Sequence, residues 1–296
     1  MDEQQFDKGI NIYALATAMF VSCLVVTMSL AFIAVLIFII SNSNFWGGPS
    51  AYEIGARVLG YGSIALLIPI VGLFWGAIST SSSSHIRFIN HSKCKPLSSS
   101  MNEKIISKIR DRGIVDERLI ESIKLYEYDS NEINAWALGG KNSAYIAFSS
   151  SCLSLDFEEV FAIFCHELGH IYTDDSNKLT FARSFQKAIS LMFIIEPLKG
   201  LARRTFFVVS ELILLKLSRS REYRADKFAS YICGSSNMVS ALETLENSGV
   251  GEKKAEFGEL SVASKSKDSI WSTHPSIQNR ISSLSKDEII IQTTVT

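Results

Sequence analysis

Between Lys8 and Glu53 the chain carries no charged side chain, and from Ile12 to Ile40 it is almost continuously apolar. A helix of about 20 such residues is enough to cross the hydrocarbon core of a bilayer. The stretch therefore predicts a transmembrane helix near residues 12–40. A secretory signal peptide would have a shorter apolar run and a more basic start; here Asp2, Glu3 and Asp7 stand against a single Lys8. A second window without Asp, Glu, Lys or Arg lies between Arg57 and Arg87 and predicts a span near 56–78. Gly60, Gly62, Gly72 and Gly76 within it are small residues of the kind that let membrane helices approach closely. The polar stretch from Ser41 to Ala51, with Gly47-Gly48-Pro49, reads as the turn between the spans. Residues 1–80 are thus expected to form a helical membrane hairpin, with the lipid bilayer as partner.

Basic residues near the spans set the orientation. Arg87, Lys93, Lys95, Lys104 and Lys108 follow the second span, whereas the connecting loop offers only Arg57. By this rule both termini, and everything after residue 80, are expected on the cytoplasmic side, with periplasmic or lumenal exposure as the alternative. The net charge of −1 gives no reason to expect a nucleic-acid partner. The five cysteines, Cys23, Cys94, Cys152, Cys165 and Cys233, include no CxxC pair. Neither a disulfide scaffold nor a thiolate metal site is suggested, and Cys165 reads as a small buried residue.

Two serine runs, Ser81–Ser84 and Ser98–Ser100, make residues 81–100 a linker. From residue 101 to 296 the pattern is globular. Ile105, Ile106 and Ile109, then Leu119, Ile120 and Ile123, fall at helical spacing. Ile133–Leu138 and Ala144–Phe148 alternate as strands and flank the turn sequence Gly139-Gly140-Lys141-Asn142. A helix is expected from about Asp156, which has the spacing of a capping box with Glu159. The apolar segments near 185–217 are interrupted by Glu196, Lys199, Arg203, Arg204 and Glu211. They are either a membrane-associated hairpin or part of a soluble core.

The chemistry concentrates in His166-Glu167-Leu168-Gly169-His170. Histidines four apart on a helix project from one face, so both imidazoles can reach one metal ion. Glu167 beside them can hold a metal-activated water, whose pKa zinc lowers to roughly 7, and take its proton. Catalytic zinc needs a third protein ligand. Ser220-Arg221-Glu222-Tyr223-Arg224-Ala225-Asp226 offers Glu222, with Asp226 one turn away to orient a ligand histidine. The alternative is that these acids pair with neighbouring arginines on a solvated surface.

HELGH, followed by SREYRAD and then THP, resembles the HtpX-like integral-membrane zinc endopeptidases, a group related to the CAAX prenyl proteases and the Oma-type peptidases. The resemblance covers roughly residues 100–285. It implies one Zn2+ per chain, held by His166, His170 and Glu222, with Glu167 as catalytic base and Asp226 behind the ligands. It also implies that Asn134-Ala135-Trp136 lies on an edge strand beside the cleft, where Asn134 contacts a substrate added as an extra strand. His274-Pro275 is similar to the group's late His-Pro motif, so His274 is either an oxyanion-stabilising catalytic residue or a helix cap. The expected fold is α+β, mostly helical: a transmembrane hairpin plus a gluzincin-like metallopeptidase domain with a small β-sheet. The expected activity is endoproteolysis of membrane or membrane-associated proteins in quality control, at the bacterial inner membrane. A proteolytically inactive zinc scaffold and a metal sensor or transporter are the rivals. Glu167 argues against the first. Asp174 and Asp175, read as placing the helix end in water, argue against the second.

Overall fold

Ser50 and Glu53 decide where the second long helix begins. The Ser50 hydroxyl accepts from the Glu53 N–H while the Glu53 carboxylate accepts from the Ser50 N–H, closing a capping box. The helix therefore starts at Ala51, earlier than apolarity alone suggests. In the computed structural model, which describes residues 11–43, 48–192, 218–248 and 275–294, α1 spans Ile12–Asn42 and α2 spans Ala51–Ser79. Both are long and apolar enough to cross a membrane, yet only 17% and 22% of their most apolar stretches are buried. A core helix of a soluble protein would hide that surface; these expose it, as lipid-facing helices do.

The chain divides into two compact units, one of residues 10–80 and 180–214 and the other of residues 1–9, 81–179 and 215–296. In the first, the Thr27 hydroxyl on α1 donates to the Ala65 carbonyl of α2 at 2.9 Å. The second half of α8 (Asp175–Met192) packs on α2 at two of the glycines singled out above. A Cβ on Gly72 would meet Phe185 and Ile189, and one on Gly76 would meet Phe181. Among the described residues nothing lies within 4 Å of a Cβ on Gly60 or Gly62, so the close approach to α8 uses Gly72 and Gly76. The remainder of the segment near 185–217 lies outside the described residues.

In the second unit, residues 81–100 are not a linker. They hold helix α3 (Ser82–His91) and strand β1 (Lys95–Pro96), because His85, Phe88 and Ile89 give the segment an apolar face that the serine runs obscure. Helices α4 (Ser99–Asp111) and α5 (Glu117–Ser122) follow. The structure ends α5 one residue before Ile123, where β2 (Ile123–Tyr128) begins. The alternation Ile-Lys-Leu-Tyr-Glu-Tyr is a strand period, and the helical reading of Ile123 is corrected on that ground. β3 (Ala135–Gly140) and β4 (Ser143–Ser149) form the expected hairpin. Gly139 makes the turn at φ +94°, where a Cβ would lie 2.0 Å from the Ser143 carbonyl oxygen. Strand order is β1-β2-β4-β3, with β2 and β4 parallel and the other pairs antiparallel. Among the described residues β3 is thus an edge.

The two faces of the sheet bury different things. Trp136, Leu138, Tyr145 and Ala147 face α3, through Ile89 and the half-buried Phe88. Leu125, Ala135, Ala137, Ile146 and Phe148 face the main core. At its centre, after the short α6 (Ser150–Leu153), runs α7 (Phe157–Tyr172), buried on all sides from Val160 to Tyr172. The described residues 218–233 form α9, followed by α10 (Ser235–Asn247) and α11 (Ile277–Thr294). The expected capping box at α7 is not made. Asp156 sits at the N-cap without a side-chain bond, and Glu159 instead accepts from Ser240 and Thr244, tying α10 to α7.

α7 and α9 meet at Gly169. A Cβ there would lie 3.0 Å from the Ala225 Cα and 3.3 Å from its Cβ, so only glycine on one helix and a small residue on the other permit this approach. Replacing Gly169 by valine should cost about 1–3 kcal/mol through overpacking. Denaturant unfolding of the purified protein checks this; an unchanged midpoint would show that α9 yields freely.

Candidate metal centre

Close packing at Gly169–Ala225 puts α7 and α9 side by side along the residues that matter. His166, Glu167 and His170 lie on α7, and Glu222 and Asp226 on α9. All five are buried: His166 is 0% exposed, Glu222 and Asp226 1%, Glu167 2% and His170 5%. The solvated-surface reading of the two α9 acids is thereby excluded. Glu222 does pair with Arg221, whose Nε lies 3.2 Å from Oε1, but inside the core.

One turn of helix brings the two imidazoles to 4.7 Å between centroids, nearly perpendicular at 82°. Glu222 faces both: Oε2 is 3.5 Å from His166 Nε2 and Oε1 is 3.7 Å from His170 Nε2. One ligand atom from each of the three residues lies within 4.8 Å of the others. Tetrahedral ligands about 2.1 Å from one zinc ion stand about 3.4 Å apart, so the two printed separations suit a shared ion with small adjustment.

Behind the ligands runs a chain of charges. Asp226 Oδ1 accepts from His166 Nδ1 at 2.9 Å. This fixes the proton on Nδ1 and turns the Nε2 lone pair toward Glu222 and His170. Asp226 is gripped by Arg280 of α11 in a two-pronged pair, Nε to Oδ2 at 2.7 Å and Nη2 to Oδ1 at 2.6 Å. Arg280 Nη1 also lies 3.6 Å from Glu222 Oε2. In the sequence Arg280 follows the His-Pro motif at His274-Pro275. Its sole signal was an arginine in the helix after that motif, and only the fold reveals its partner.

Titration follows from these contacts. Burial pushes the Glu167 carboxyl up to about 7, opposed by the charge of His166. Burial holds His170 well below the ordinary imidazole range, leaving it neutral. Burial also disfavours charge on His166, but hydrogen bonds to Asp226 and Glu222 outweigh it and raise this imidazole to about 9. For Asp226, burial is outweighed by the Arg280 charge and hydrogen bonds, which keep the carboxyl below its usual range. The field that favours positive charge at His166 Nε2 favours a cation held there. His166 Nε2 faces Glu222 Oε2 at 3.5 Å, and the donor set of two imidazoles and a carboxylate is one that zinc takes. These residues fit a divalent metal.

Asn134 precedes β3 and is buried, with its N–H donating to Ser149 Oγ at 3.0 Å and its carbonyl accepting from the Ser149 N–H at 2.9 Å. His274 lies outside the described residues. One inference is corrected: Asp175 does not place the end of α7 in water. It is 2% exposed, 3.4 Å from Lys178 and 3.0 Å from Arg224, an arginine that α9 brings to it.

Comparison with known proteins places the chain in a family. The profile of peptidase family M48 matches residues 105–288, more than half of the chain. A protease HtpX homolog of Neisseria meningitidis is 34% identical over 179 residues, covering 53% of this chain and 63% of that one. Another, of Bacillus licheniformis, is 31% identical over 178 residues, covering 52% and 60%. The chain thus spans less than two thirds of the length of these relatives. The crystal structure of S. mikatae Ste24p is a weaker likeness, with 18% identity and a TM-score of 0.45, covering 90% of this chain and 66% of that one. By the extent of the profile match and the identity to its relatives, the chain belongs to peptidase family M48.

Proposed function

We propose that this protein is a membrane-bound zinc endopeptidase that hydrolyses peptide bonds of membrane or membrane-associated proteins on the cytoplasmic face. The bacterial inner membrane is the proposed location and quality control the proposed role. The observation that carries the reading is the cluster of His166, His170 and Glu222 around one point, with Glu167 buried on the same helix. His166, His170 and Glu222 would hold the zinc, which when bound supplies Lewis acidity to polarise a peptide carbonyl and acidify a water. Glu167 takes the proton from that water and later delivers it to the leaving amine. Asp226, held by Arg280, keeps His166 oriented and basic toward its ligand position. His274 is proposed to stabilise the oxyanion.

Substrate positioning is assigned to the start of β3. Asn134 accepts from Ser149 across the ladder, so by alternation Ala135 and Ala137 direct their N–H and C=O away from β4. Ser176 Oγ already donates to the Ala137 carbonyl at 3.1 Å. At this end of β3 an added strand would therefore pair through the backbone of Ala135. Ala135 and Trp136 are fully buried, so pairing there follows an opening of the cleft. The glutamate favours this reading over an inactive scaffold, since a purely structural metal site needs no base. α8, packed on Gly72 and Gly76 of α2, supports the reading that the segment near 185–217 is membrane-associated.

In detergent, Glu167→Gln should retain zinc and lose about 10²- to 10⁴-fold in casein cleavage. Cleavage equal to that of the unmodified protein would overturn the assignment of the base. Replacing Arg280 by glutamine leaves Asp226 without its guanidinium, and zinc affinity should fall about 10- to 100-fold. Chelator competition measures this, and an unchanged affinity would remove Arg280 from the support of the site.

A further inference from the structure

A cavity of about 700 Å³ lies where α1 and α2 are joined, large enough for a small organic group rather than a single ion. It is lined by Phe38 of α1, Pro49 of the connection, and Glu53, Arg57, Gly60 and Tyr61 of α2. Gly60 supplies part of the room. A Cβ there would meet nothing within 4 Å among the described residues, so a larger side chain would grow into the cavity. Glu53, Arg57 and Gly60 are exposed, so the cavity opens at the surface of the hairpin.

Two opposite charges stand in it on successive turns of one helix. Glu53 and Arg57 are i and i+4, with Cβ atoms about 5–6 Å apart. Glu53 accepts from the Ser50 N–H and hydroxyl on Oε2 alone, each at 2.8 Å, which leaves Oε1 for a cation. Arg57 lies over the Phe38 ring at 4.9 Å and donates from Nη1 to the Tyr61 hydroxyl at 3.4 Å. A hydroxyl that accepts in this way turns its own hydrogen elsewhere. The guanidinium carries further N–H donors in a planar fork that suits a phosphate.

Depth agrees with a lipid as the guest. At about 1.5 Å per residue, the 29 residues of α2 make a helix about 43 Å long, roughly 13 Å longer than the hydrocarbon core. Arg57 comes six positions after Ala51, the first residue of α2, or about 9 Å along the axis. This puts the charged pair at headgroup level, where tyrosines such as Tyr52 and Tyr61 gather.

We propose that the cavity binds a phosphatidylethanolamine, with its phosphate on Arg57 and Tyr61, its ammonium on Glu53 and its glycerol end against Phe38 and Gly60. This rests on α1 and α2 spanning the membrane. Phosphate and ammonium, joined by a short ethylene link, match an arginine and a glutamate one turn apart. A choline headgroup has no N–H to give Glu53, and a glycerol headgroup has no positive charge. Bound there, the lipid touches both helices of the hairpin and holds them together.

Native mass spectrometry tests this on the full chain, delipidated in detergent and titrated with dioleoyl lipids. Phosphatidylethanolamine should bind about fivefold more tightly than phosphatidylcholine, the order of one exposed ion pair. Glu53→Gln, which keeps a capping side chain, should remove that preference. Arg57→Gln should weaken both lipids, and Gly60→Leu should block both by filling the cavity. Equal binding of the two lipids, tighter binding of phosphatidylglycerol, or an unchanged preference in Glu53→Gln or Gly60→Leu would overturn the proposal. So would displacement of the lipid by millimolar inorganic phosphate, which would identify a free-anion site instead. Protein washed from membranes by alkaline carbonate would overturn the spanning helices together with the proposal.

Discussion

Charge compensation in an apolar centre governs this fold. Three carboxylates, Glu167, Glu222 and Asp226, and two guanidiniums, Arg221 and Arg280, lie buried with two imidazoles among the side chains of α7, α9 and α11. An isolated charge in such a place costs several kcal/mol, so Asp226 and Glu222 persist there because Arg280, Arg221 and His166 face them. The pairings also do geometric work. Arg280 ties α11 to α9 through Asp226, and Asp226 ties α9 to α7 through His166. Arg224 and Asp175 make a second tie, between α9 and the start of α8. With three carboxylates against two guanidiniums, the site suits a cation between Glu222 and the imidazoles.

Close backbone approach makes those pairings reachable. Without Gly169 opposite Ala225, α9 would stand farther from α7 and Glu222 would not face both histidines. The same device recurs at the membrane end, where Gly72 and Gly76 admit Phe181, Phe185 and Ile189 of α8. Small residues thus set the helix positions, and charges then lock them in place.

How much of this could be read from the sequence depended on the range of the interaction. The α+β, mostly helical class was legible, because long apolar windows and the Gly139–Asn142 turn are local signals. The spacing of His166, Glu167 and His170 was legible because one helix presents all three. By spacing alone Glu222 and Asp226 stood out as acids one turn apart, and their burial depended on α9 packing against α7. The partner of Asp226 was invisible, since Arg280 lies 54 residues away. Asp175 was misread as exposed for the same reason: its compensating arginine comes from another helix. Glu159 has capping-box spacing but bonds to α10, showing how a tertiary contact overrides a local motif. α3 was hidden by serine runs, and β2 by three isoleucine and leucine positions that also suit a helix.

The central claim is that two imidazoles and one carboxylate hold a single zinc ion in the buried centre. Zinc-edge X-ray absorption of the purified protein, with metal content measured on the same sample, addresses it most directly. The account predicts one zinc per chain with only nitrogen and oxygen neighbours at about 2.0–2.2 Å, two of them imidazole. A sulfur neighbour at about 2.3 Å, or a shell without imidazole, would contradict it.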